Sequence, residues 1–134
     1  MYAYVDNNPV NSLDPLGLCE VQLNMKTCLE SIFDESVQTV RLIHKPKKNP
    51  KWAAVTRRNK IEIQIPCSDF WLDYELVLEE YYHVLRQWNT GRMNRRNYFW
   101  EWLRRGYTGN RFELEAKDFA RRNREALEDC LKCK

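Results

Sequence analysis

Residues 19–134 of this 134-residue chain read as an α+β domain, a small antiparallel sheet packed with helices. Two observations carry that expectation. Short stretches rich in β-branched residues are confined to residues 37–65, and after residue 72 the apolar residues recur at helical spacing. Residues 1–18 stand apart, because Asp6 to Leu18 is dense in Asn, Pro, Ser and Gly and spells turns rather than a helix or strand.

From Cys19 the pattern changes. Leu23, Met25, Cys28, Leu29, Ile32 and Phe33 fall three or four apart, as on an amphipathic helix. Val37 to Ile43 reads as a strand, and Lys45 to Pro50 as a basic, proline-bounded loop. Two more strands are expected at Ala53–Thr56 and Lys60–Ile65, joined by Arg57-Arg58-Asn59. The second has Ile61, Ile63 and Ile65 on one face by its period of two. Pro66-Cys67-Ser68-Asp69 reads as a break. Beyond it, Val77, Tyr81, Val84 and Trp88 form one stripe on a helix over about residues 73–88, and that stripe should face the core. Arg92 to Arg105 is polar and aromatic, with a helix expected near Tyr98–Leu103. Residues 106–110 form a turn, and a long helix follows from Arg111 to Leu131.

The totals bound the function. No apolar run approaches the ~20 residues that span a bilayer, and the N-terminus has neither a basic nor an apolar signal region. Net charge is +3, and residues 19–134 hold all 22 bases against 17 of the 19 acids. That is mildly basic, more in keeping with an ordinary soluble surface than with a nucleic-acid footprint. The five cysteines (19, 28, 67, 130, 133) are an odd number, so a fully paired framework is not expected. Cys130-x-x-Cys133 lacks the βαβ context of a redox site. Plain thiols, or one or two bridges tying the chain ends together, are the simpler expectation, with a zinc knuckle including Cys19 and Cys28 as the alternative.

The chemistry is concentrated on the 73–88 helix. At ~100° per residue, Glu79, Glu80 and His83 gather on the side away from the Val77 stripe. With i, i+4 spacing Glu79 and His83 can ligate one metal ion, and Glu80 stands beside it as a general base. That is the logic of H-E-x-x-H with Glu in the first His position. Alone, the string Glu79-Glu80-Tyr81-Tyr82-His83 reads most simply as a solvated acidic face. Its flanks argue otherwise. Leu76, Val77, Leu78, Tyr81, Tyr82, Val84, Leu85 and Trp88 surround it, and carboxylates buried there are costly unless a metal or partners compensate. Downstream, Glu113 in Glu113-x-x-Ala116 is placed for a third ligand. Glu115 is its fallback, or a partner that orients a ligand. Tyr82 and Tyr107 could contact a tetrahedral intermediate, although aromatic packing is their default. His44 reads as a surface residue, and the Arg95-Arg96, Arg104-Arg105 and Arg121-Arg122 pairs as solvated helix faces.

Residues 54–120 resemble the minimal zincin metallopeptidase domains found at the ends of bacterial polymorphic toxins. The match runs from a short β-ribbon (Ala54-Val55-Thr56 and Ile61-Glu62-Ile63) through Leu78 to Leu85, then Gly106-Tyr107-x-Gly-Asn110-x-Phe112-Glu113-x-Glu115-Ala116. The resemblance implies zinc or another divalent metal held by Glu79, His83 and Glu113, with Glu80 as catalytic base. The Glu at position 79 departs from the family pattern. An extra carboxylate makes the site more anionic and weakens the Lewis acidity of a bound metal.

Residues 2–18 resemble the end of the core of Rhs-repeat proteins, with the full P-x-x-x-x-D-P-x-G-L pattern in Pro9, Asp14, Pro15, Gly17 and Leu18. That resemblance implies a cage-like shell that cleaves itself after Leu18. The freed domain, residues 19–134, would be a secreted antibacterial effector, delivered without a signal peptide by type VI secretion into the cytoplasm of a rival cell. Its implied partners are the Rhs shell, a cognate immunity protein and a protein substrate; nucleic acid is not the expected partner. Two rival functions remain. One is a nuclease toxin using Arg pairs and interleaved aromatics, although no HNH-like or PD-(D/E)xK-like arrangement appears. The other is a non-catalytic binding toxin on a degenerate zincin scaffold.

Overall fold

A computed structural model describes residues 18–45, 54–92, 94 and 111–133. Pro9, Asp14, Pro15, Gly17 and Tyr107 lie outside the described residues, as do the loop expected after Lys45 and the helix expected near residues 98–103. Strands β1 (Arg41–His44), β2 (Ala54–Arg57) and β3 (Lys60–Ile63) form the sheet. The helices are α1 (Leu23–Phe33), α2 (Cys67–Leu72), α3 (Tyr74–Tyr82) and α4 (Arg111–Lys132), and a π-helical segment, His83–Trp88, continues α3. The domain is α+β, as the sequence patterns require.

The sheet is mixed rather than antiparallel. Its order is β1-β3-β2: β2 and β3 pair antiparallel across the Arg58-Asn59 turn, whereas β1 pairs parallel to β3. The reason is burial. Ile61 and Ile63 are fully buried, so β3 takes the central place and separates β1 from β2. Asn59 holds the turn with φ of 54°, a conformation that Asn tolerates better than most residues. The turn is also fastened from outside. Asn59 N–H donates to Asn89 Oδ1 (3.0 Å), and Asn89 Nδ2 donates to Asn59 Oδ1 (2.7 Å).

Two other expectations shift. The first strand begins at Arg41, not Val37, because Val37 is a separate anchor. Its side chain is buried, its N–H donates to Glu30 Oε2 at 3.0 Å, and its carbonyl accepts from Val40 N–H in a turn. The break after Pro66 contains a helical turn and a half, α2, which buries Phe70. Asp73 then caps α3, its Oδ1 accepting from Leu76 N–H at 3.1 Å.

On α1, the buried positions are Met25, Cys28, Leu29 and Phe33, whereas Leu23 is exposed. In the core, α3 packs most extensively on α4, and Val77, Leu78, Tyr81, Val84 and Leu85 are all buried. A helix so enclosed leaves little solvent for its polar residues. Two disulfides tie the layers together: Cys19–Cys67 joins the entry strap to α2, and Cys28–Cys130 joins α1 to the end of α4. Cys133 is free and exposed. At the entry, Leu18 bridges to Ile43, and Cys19 N–H donates to Leu42 O at 2.8 Å, so the chain joins the β1 edge from its first described residue. Among the described residues, no helix is long and apolar enough to cross a membrane.

Candidate active site

The helix expected over residues 73–88 changes register at His83. His83 N–H is shared between the carbonyls of Glu79 and Glu80, and Asn89 N–H reaches Val84 O in an i→i+5 bond. Such π-turns recur at functional sites, because the widened turn re-aims side chains that an α-helix would spread apart. Here it sets Gln87 beneath His83. Gln87 Oε1 lies 2.7 Å from His83 Nδ1, and Gln87 Nε2 donates to Phe112 O at 2.9 Å.

That pair of bonds fixes the imidazole. Since the Gln87 amide nitrogen donates to Phe112 O, its oxygen must accept, so His83 Nδ1 carries the proton. His83 Nε2 is left to face Glu113, with Oε1 3.1 Å away. The contact is a close, buried ion pair whenever the imidazole is protonated, although the donor–acceptor alignment is poor. Glu80 Oε2 is buried and unpartnered. Glu80, His83 and Glu113 are 7%, 2% and 7% exposed, so these are polar atoms out of reach of bulk water. Leaving such atoms unsatisfied costs about 1–3 kcal/mol each, more for charged groups.

Electrostatics describes the same cluster. Burial pushes the Glu80 carboxyl up to about 7, with Glu113 and Glu79 adding to the rise and His83 and Lys117 opposing it. Burial alone would lower the His83 value. The Glu113 carboxylate, the charge of Glu80 and the Gln87 bond override it and raise it to about 9. Glu79 is also raised, chiefly by burial, although Lys117 Nζ at 3.6 Å from Glu79 Oε1 works against the rise. A carboxyl titrating near neutrality is the kind of group that exchanges protons during turnover.

The residues present suit a divalent metal in part. Two donors about 2.0–2.2 Å from a common ion lie roughly 3.0–3.5 Å apart, and His83 Nε2 and Glu113 Oε1 are already at 3.1 Å. Nδ1–H held by a side-chain oxygen is the usual way a ligating imidazole is oriented. Glu79 is drawn toward Lys117 instead. Among the described residues, no three His, Cys, Asp or Glu side chains enclose a metal position as they stand. Glu115 is not gathered with the ligand candidates. Arg92 holds it by two bonds (2.7 and 3.0 Å), and its Oε1 lies 3.3 Å from Tyr82 Oη and 3.4 Å from Gln87 Nε2. It therefore reaches His83 only through Gln87.

Gln87 is the residue of this candidate site that the sequence patterns do not single out. Its signal was faint: an amide four residues after a candidate ligand, inside an apolar run. Gln87→Leu is expected to lower metal affinity about 10–100-fold while preserving helical content. Isothermal titration with zinc would measure it, and unchanged affinity would remove Gln87 from the site.

A pH dependence follows for the metal-free domain. Glu80 is raised from 4.5 and His83 from 6.5, so the folded state binds more protons than the unfolded state. Their contributions are fully present below the unfolded values. They are lost as pH rises through about 7 for Glu80 and about 9 for His83. Chelator-treated protein should therefore melt at progressively lower temperature between pH 5 and pH 9. Added zinc should restore stability most at the alkaline end, where it no longer competes with protons. A melting temperature that rises over this range would contradict the cluster's geometry.

No known protein family, curated protein or solved structure matches this chain.

Proposed function

We propose that residues 19–134 are a metal-dependent peptidase, carried as an effector domain behind an Rhs-type core ending at Leu18. The observation that carries the hydrolytic reading is the buried meeting of α3, the π-segment and α4. There, His83 Nε2 faces Glu113, and the unpartnered Glu80 Oε2 shares this buried site with them and with Glu79. His83 and Glu113, with Glu79 once released from Lys117, would hold the ion, and zinc is the best match to this donor set. Bound there, the ion would polarise a carbonyl and acidify water.

The protein's own groups carry the proton. Glu80 accepts it from the attacking water as oxygen bonds to the peptide carbon. It then delivers that proton to the leaving nitrogen as the C–N bond breaks. Gln87 keeps the His83 ring turned, and Arg92 with Glu115 buttresses Gln87. The choice of a peptide substrate rests on the zincin resemblance.

Two disulfides persist only where the surroundings are oxidising. They favour an oxidising destination over the cytoplasm named by the sequence reading. One observation favours a non-catalytic role instead: Lys117 already neutralises Glu79, as in a site that has given up its metal. Incubating the zinc-loaded full chain with an unfolded protein mixture separates the two, with new protein termini as the readout. New termini support the peptidase, and their absence from a zinc-loaded sample excludes it.

A further inference from the structure

A pocket of about 490 Å3 opens where the β2–β3 hairpin meets the end of the π-segment, lined by Arg41, Arg57, Arg58, Lys60, Trp88 and Asn94. The Asn59–Asn89 amide pair clamps the hairpin turn in place beside it. Its charge is largely uncompensated. Lys60 pairs with Glu62 at 3.1 Å, but among the described residues no carboxylate pairs with Arg41, Arg57 or Arg58. Arg57 donates to Thr56 O at 2.8 Å and lies 5.6 Å from the centroid of the Trp88 ring. The Trp88 indole N–H is buried without an acceptor. Three arginines and a lysine lining one concavity make it a site for an anionic ligand.

The pocket is also well placed. Trp88 follows His83 by five residues in the same π-helical segment. It therefore lies about one turn from the candidate active site. Two features favour a polypeptide over a nucleic acid. Among the described residues strand β2 is at the edge of the sheet and runs directly into Arg57 and Arg58, and an extended peptide can pair with such an edge while alternate side chains enter adjoining pockets. Arg57 also covers the Trp88 ring, so the indole is not a free stacking platform for bases.

We propose that this pocket is a subsite for acidic side chains of the substrate, selecting polypeptides with Asp or Glu a few residues from the bond to be cut. The proposal rests on the peptidase reading, and two readouts keep the failure of one distinct from the failure of the other. The first is binding without turnover. The full chain carrying Glu80→Gln is titrated against a fluorescent ten-residue peptide rich in Glu and Asp, the same peptide with Gln and Asn, and an oligothymidylate. Fluorescence anisotropy should report binding of the acidic peptide roughly tenfold tighter than its amide counterpart, weakening with added salt. The preference should disappear in Arg41→Ala/Arg58→Ala, both exposed positions whose exchange leaves the core intact.

The second readout is the cleavage map of the otherwise wild-type chain. New termini should cluster near Asp and Glu, and the clustering should be lost in the double variant. Charge-blind anisotropy overturns the subsite even if termini appear, as does pocket-dependent binding of the oligothymidylate alone. A charge-selective, arginine-dependent anisotropy with no new termini upholds the anionic pocket and sinks the peptidase.

Discussion

Exchanging Glu80 for Gln is expected to lower hydrolysis by about 10²–10⁴-fold, the range spanned by positioned general bases, while the metal remains bound. Gln keeps the size and polarity of the side chain but cannot take a proton. The same exchange should raise stability at pH 8. There the native protein must hold Glu80 ionised against a burial that has pushed its carboxyl up to about 7, and the neutral amide removes that cost. Loss of activity with a gain in melting temperature would be the mark of a group retained for chemistry and not for the fold. Full activity in Glu80→Gln would remove Glu80 from the reaction. Lost activity together with lost metal would instead show that it had been a ligand.

Removing the longer disulfide is expected to have the largest effect on stability. Cys28 and Cys130 are 102 residues apart, and their bridge fastens α1 to the last turns of α4. Closing so long a loop restricts the unfolded chain, and losing a native bridge of this kind typically costs about 2–5 kcal/mol. Cys28→Ser/Cys130→Ser should accordingly lower the melting temperature on the order of 10 °C or more, and dithiothreitol should have little further effect through that pair. The consequence reaches the site. Glu113 opens the helix that Cys130 anchors near its other end, so a looser α4 shifts Glu113 relative to His83. Metal affinity should fall with stability in this variant, whereas unchanged melting would mean that the bridge carries no structural load.

Much of this was legible in the chain itself, and the limits have physical causes. The alternation of Ile61 and Ile63 marked β3 as a strand. Alternation cannot rank strands within a sheet, so the mixed pairing, set by which strand is most buried, was not readable. The Val77, Tyr81, Val84 stripe located the central helix and its buried side. The change to π-turns at His83 is a matter of which carbonyl each N–H reaches, and local composition carries almost no trace of it.

Glu79, Glu80, His83 and Glu113 were each picked out by residue type and spacing, and their mutual influence places them in one cluster. Lys117 was not picked out, because its contact with Glu79 depends on how α4 lies across α3. Arg57 and Arg58 read simply as a hairpin connection. Only the fold brings Arg41 and Trp88 beside them.

The central claim is that His83 and Glu113 face each other across a metal position. Its most direct test is elemental analysis of the purified full-length chain after loading with zinc and gel filtration, alongside His83→Ala and Glu80→Gln. Near-stoichiometric metal in the unaltered chain and in Glu80→Gln, with none retained by a folded His83→Ala, is the expected result. A zinc-loaded chain that emerges without metal, or a His83→Ala variant that keeps it, would contradict the site.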